Sequence, residues 1–125
     1  MSLPQPSVIA QDEIARTYER DGFVVPIDVL SQSQAHTLRI DLETAETELA
    51  GDPEKLALLK AYPDRLLPSF DALTRNETLI AAASAVLGPD LMVWSAGLFI
   101  KEANSPKIVS WHQDLTYWGL DDICE

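Results

Sequence analysis

Two residues near the end of the sequence carry its clearest chemistry, His112 and Asp114 in Trp111-His112-Gln113-Asp114. On an extended backbone successive side chains alternate between faces, so an imidazole and a carboxylate two apart project to the same side and can converge on one cation. A neutral imidazole and a carboxylate are two of the three donors of two-histidine-one-carboxylate sites, which hold non-haem iron(II) and leave positions open for co-substrate and oxygen. His-x-Asp also arises often by chance, and a hydrogen-bonded surface pair is the plain alternative. Here it closes an apolar stretch and stands beside Trp111, Tyr117 and Trp118, in a chain with only 7% Phe, Trp and Tyr.

The elements that must position this pair can be read from hydrophobic spacing and caps. Residues 1–10 carry two prolines and no periodicity and read as a flexible arm. From Gln11 a helix sets Ile14, Ala15 and Tyr18 on one side and stops at Gly22, followed by Phe23-Val24-Val25 as a short strand. Ser31 and Gln34 form a capping box for a helix with Ala35, Leu38, Leu42, Ala45 and Leu49 on its apolar side, ended by Gly51. Pro53, Pro63 and Pro68 break the next stretch into short helices or turns. Asn76 caps a helix that Gly88-Pro89 ends, with Leu79, Ile80, Ala83 and Leu87 as its buried side.

After Pro89 the pattern changes. Leu91 to Ile100 is continuously apolar and reads as a buried strand, with Trp94, Leu98, Phe99 and Ile100 in the core. A turn at Ala103 to Pro106 leads into a second strand that delivers His112. Helices lead and strands follow, so the class is α+β, one domain over 11–125.

Nine Lys and Arg against twenty Asp and Glu leave a net charge of −11 in 125 residues. Such a surface repels phosphates, which argues against nucleic acid and anionic membranes as partners. The start of the chain lacks a signal-peptide pattern and no segment nears a membrane span, so the expected location is cytoplasmic. The single cysteine, Cys124, has no internal disulfide partner. His36 is expected on a solvent-facing helix surface, and the acidic run Asp41, Glu43, Glu46 and Glu48 is expected to be the solvated face of the same helix.

Several separated pieces together resemble the phytanoyl-CoA dioxygenase family of iron(II)- and 2-oxoglutarate-dependent oxygenases. They are Gly22-Phe23-Val24-Val25 with Leu30-Ser31, Leu87-Gly88-Pro89, Leu98-Phe99-Ile100-Lys101, and Trp111-His112-Gln113-Asp114 with Tyr117-Trp118, in the family's order from Tyr18 onward. The resemblance implies a double-stranded β-helix (a cupin-like jelly roll), Fe(II) as metal, 2-oxoglutarate as co-substrate, and a small organic or acyl substrate hydroxylated with O2. It makes His112 and Asp114 iron ligands, and matches Gln113, Gly97 and, loosely, Lys60 to places that touch 2-oxoglutarate. Halogenating relatives carry a small residue at the position of Asp114, so the carboxylate points to hydroxylation. No oligomeric state follows from it.

The family's second histidine ligand and its 2-oxoglutarate-binding arginine lie downstream of the His-x-Asp pair. Eleven residues follow Asp114 here, none of them His or Arg. They are too few for the remaining strands, which take ~5–6 residues each. The expectation is an N-terminal portion of an oxygenase, inactive by itself. A competing reading is a non-catalytic helical interaction module in which the pair is incidental, with His112 and Asp114 exposed and unrelated in space. A zinc hydrolase is a third, which the absence of a further well-placed His or Cys disfavours.

Overall fold

The computed structural model describes residues 10–114. Six helices follow one another: α1 (Gln11–Asp21), α2 (Gln32–Glu48), α3 (Pro53–Ala61), α4 (Pro63–Leu66), α5 (Pro68–Thr74) and α6 (Glu77–Leu87). The expected arm reaches into this range only at Ala10, and its other residues lie outside those described.

Local chemistry sets most helix ends. Gly22 closes α1 at φ 78°, a left-handed conformation open to glycine, and its N–H donates to the Tyr18 carbonyl at 2.7 Å. At the start of α2, Ser31 Oγ accepts from the Gln34 N–H at 3.3 Å while Gln34 Oε1 accepts from the Ser31 N–H at 2.8 Å, a reciprocal capping box. The helix ends at Glu48 and the turn after it includes Gly51.

Each proline of the interrupted stretch starts a helix. Pro53, Pro63 and Pro68 occupy first-turn positions of α3, α4 and α5, where a missing N–H costs nothing and a fixed φ suits the helix. Asp52 caps α3 by accepting from the Lys55 N–H at 3.1 Å. Its hydrogen bond to the Lys55 ammonium, then those from backbone N–H groups, hold its carboxyl below the usual aspartate range. A depressed folded-state value means that this stabilisation is present above the unfolded-state value and is lost as pH falls through the folded one. Acidification is therefore expected to fray the first turn of α3, and Asp52→Asn to remove that acid sensitivity in amide exchange.

Asn76 Oδ1 accepts from the N–H groups of Thr78 and Leu79, at 2.9 and 3.2 Å, and so satisfies two free donors of α6. Asn76→Ala should lower stability by about 1 kcal/mol, measured by chemical denaturation.

The helices pack in pairs. α1 packs on α6, α4 and α5 pack together, and α5 also touches α2. Ile14, Leu59 and Pro63 are the buried residues among those described, so the core is small. The intended inner side of α6 is only partly covered: Ala81, Ala82 and Ala83 are half-buried, whereas Leu79, Ile80 and Leu87 remain exposed. α6 is apolar nearly all round, and one packed neighbour covers only one of its sides.

The segments expected as strands contain no strand among the described residues. Phe23 to Val25 is a loop leading into a cis Val25–Pro26 peptide bond. Residues 91–100 lack regular structure, and Phe99, expected in the core, is 94% exposed. Trp94 and Ile100 are exposed as well. A strand is stabilised by the ladder of a neighbour, and an apolar sequence supplies only the side-chain half of that requirement. A reverse turn does form after this segment, with the Ser105 N–H donating to the Glu102 carbonyl at 3.2 Å and Asn104 at φ 60°.

Candidate functional site

His112 and Asp114 face each other. The His112 ring places Nδ1 2.7 Å from the Ser110 carbonyl oxygen and Nε2 3.1 Å from Asp114 Oδ1. A carbonyl can only accept, so Nδ1 carries the proton of that bond and the ring's other nitrogen is turned to the carboxylate. Nε2 then has two stable states beside an anionic oxygen. It carries a second proton and forms an ion pair, or it presents a lone pair and a cation relieves the repulsion between the two donors.

The donor set fits such a cation. Bonds of about 2.0–2.2 Å set at right angles hold their donor atoms about 3 Å apart, close to the separation seen here. The carbonyl on Nδ1 is the usual outer partner of a ligating histidine, fixing tautomer and ring orientation. Sequence reasoning did not single out Ser110; its signal is its position two residues before His112. Both side chains remain open to solvent, His112 at 38% and Asp114 at 62% exposure, so a cation can reach them. Gln113 lies between them, exposed. Among the described residues no group of three or more His, Cys, Asp and Glu could hold a metal ion, so the pair offers two donor atoms and no third.

The other two expected contacts, Lys60 and Gly97, come together. The Leu98 N–H donates to the Lys60 carbonyl at 2.8 Å. A Cβ added to Gly97 would lie 3.8 Å from the Ala61 carbonyl oxygen and 4.0 Å from that of Lys60. The bare side of Gly97 is thus turned to the C-terminal end of α3. The Lys60 ammonium reaches back to Glu46 Oε1 on α2 at 3.9 Å. Glu46, expected on the solvated face, is half-buried, while Glu43 of that face pairs with Arg39 at 2.7 Å. His36 is exposed, as its polar neighbours suggest.

Arg20, Arg39 and Arg75 are each held by a neighbouring carboxylate, and Arg65 stacks over the Tyr62 ring at 5.1 Å. Two grooves run among the helices. One, of about 380 Å³, lies between α2 and α5 and includes Leu38, Ser69 and Leu73; the other, of about 320 Å³, includes Leu49, Leu59 and Leu66. Neither is lined by His112, Asp114, Gly97 or Lys60. Tyr117, Trp118 and Cys124 lie outside the described residues. Among the described residues no helix is long and apolar enough to cross a membrane.

The chain has known relatives at low identity over most of its length. It is similar to the ectoine dioxygenase of Bordetella parapertussis, 24% identical over 123 aligned positions that cover 91% of this chain and 40% of that protein. The ectoine dioxygenase of Stutzerimonas stutzeri is 26% identical over 121 positions, covering 88% of this chain and 39% of its own length. That of Halomonas elongata is 26% identical over 118 positions, covering 85% and 35%. The chain therefore spans about two fifths of the curated relatives it matches. No family model and no solved structure matches it.

Proposed function

We propose that this chain is the N-terminal part of an Fe(II)- and 2-oxoglutarate-dependent dioxygenase of the phytanoyl-CoA dioxygenase type, hydroxylating a small organic or acyl substrate. The observation that carries this reading is the convergence of His112 Nε2 and Asp114 Oδ1 to 3.1 Å with Nδ1 tied to Ser110. Similarity to dioxygenases over nearly the whole chain supports it. The helical-module alternative needs the two side chains to be exposed and unrelated in space; they are exposed, and their 3.1 Å contact is one that a hydrogen-bonded surface pair also makes, so the similarity to dioxygenases is what favours the oxygenase reading over it.

Iron(II) held there, with 2-oxoglutarate and O2, supplies an oxidation that yields succinate and CO2 and places one oxygen atom in a substrate C–H bond. This chain's own share is to hold and orient. Ser110 fixes the ring so that Nε2 faces the metal position, and Asp114 contributes the anionic donor. Protonation and ligation compete for Nε2, so iron affinity should fall as pH is lowered. Because Asp114 fills a ligand position, hydroxylation is the outcome we assign rather than halogenation. We assign residues 91–100 and 108–112 to strands that gain their ladders within a jelly roll. Residues 1–125 by themselves lack a third ligand after Asp114 and are expected to hold iron weakly and to show no turnover.

The test is oxygen uptake by the full-length protein with Fe(II) and 2-oxoglutarate, against ectoine, the compound named in its relatives, and a panel of small organic acids and acyl thioesters. The expected result is uptake that needs both iron and 2-oxoglutarate and forms succinate one for one. Binding of neither Fe(II) nor 2-oxoglutarate, with no uptake, would overturn the proposal.

A further inference from the structure

We infer that the C-terminal end of α3 is the seat that positions the segment leading to the donor pair, and that Gly97 and Leu98 are its positioning residues. This rests on the reading of His112 and Asp114 as a metal pair. A helix leaves its last four carbonyls without partners inside the helix. In α3 the Lys60 carbonyl is one of these, and the Leu98 N–H satisfies it at 2.8 Å. Outside the helices, and among the described residues, every other backbone hydrogen bond joins residues no more than four apart, whereas this one spans 38 positions.

Burial marks the same place. Ala96 and Leu98 are half-buried, whereas Gly97 between them and residues 91–95 and 99–104 are exposed. Gly97 brings its backbone against α3, with the position of a Cβ already at van der Waals distance from the Ala61 carbonyl oxygen. A methyl group fits there. A longer side chain is expected to crowd the two carbonyls and to lift Leu98 off its acceptor. Lys60 also makes the one ion pair among the described residues that joins two helices, through Glu46 of α2. One residue thus ties α2, α3 and the 97–98 segment together, and the reverse turn at Glu102–Ser105 separates this tie from His112. On this account Gly97 is small to admit the helix end, not to make room for 2-oxoglutarate.

The experiment compares Gly97→Ala, Gly97→Leu and Leu98→Pro in the full-length protein, with the far-UV helical signal as control for folding. It reads exchange of the Leu98 amide, except in Leu98→Pro, which has none, and anaerobic Fe(II) binding. In wild type the Leu98 amide is expected to be protected, and Gly97→Ala to keep both that protection and the iron affinity. Gly97→Leu is expected to lose the protection and to weaken Fe(II) binding severalfold, less than loss of a group bonded directly to a ligand. Leu98→Pro should weaken iron to a similar degree. An unprotected Leu98 amide in wild type, or unchanged iron affinity in folded Gly97→Leu, overturns the inference while the metal pair stands. Iron binding that is absent, or indifferent to His112→Ala, overturns the metal pair and this inference with it.

Discussion

His112→Ala is expected to abolish iron-dependent turnover of the full-length protein and to lower Fe(II) affinity by more than about a hundredfold. Loss of an outer partner alone typically lowers metal affinity 10–100-fold, and removal of the donor itself must exceed that. Fold stability should change little, because the ring is only partly covered and its bonds to the Ser110 carbonyl and Asp114 are local. Binding measured by anaerobic calorimetry, beside a thermal melt, separates the two effects. A variant that melts normally and still turns over would show that His112 is not a ligand.

Asp114→Asn is expected to have the second largest effect. It keeps the shape of the side chain and removes its charge, so the cation loses its anionic donor while local packing is preserved. Iron affinity should fall by more than about a hundredfold on the same reasoning, and the melting temperature should stay put, since an exposed pair of this kind contributes little to stability. The two substitutions should not be additive. Once one donor of a shared ion is gone, loss of the second has little left to remove. A double variant no worse than either single one would be the signature of a common ligand set, and full additivity would mean that the side chains act independently.

Much of the helical half was legible because helix ends are local. Ser31 with Gln34, Asn76, and Gly22 each fix a boundary through hydrogen bonds or backbone freedom spanning at most four residues. The three prolines were legible as interruptions, and the structure adds that each one starts a helix. The apolar stretch from Leu91 was not resolved by sequence in the same way. Apolar content marks burial, but a ladder depends on a partner whose identity no local pattern reveals.

The candidate site divides along the same line. The structure brings His112 and Asp114 to 3.1 Å, but on an irregular stretch that ends in a turn rather than on the strand whose two-residue periodicity was the reason to expect it. The meeting of Gly97 with Lys60 depends on where α3 ends relative to a segment far along the chain, and spacing holds no trace of it. Glu46 was read as one more charge on a solvated face, and only the placement of α3 beside α2 gives it Lys60 as a partner.

The measurement that bears most directly on all of this is anomalous scattering at the iron edge from crystals of the full-length protein grown with Fe(II) under anaerobic conditions. The account predicts one iron peak about 2.0–2.2 Å from both His112 Nε2 and Asp114 Oδ1, with Nδ1 still donating to the Ser110 carbonyl. An iron peak that touches neither side chain, or no peak at all at saturating Fe(II), would contradict it.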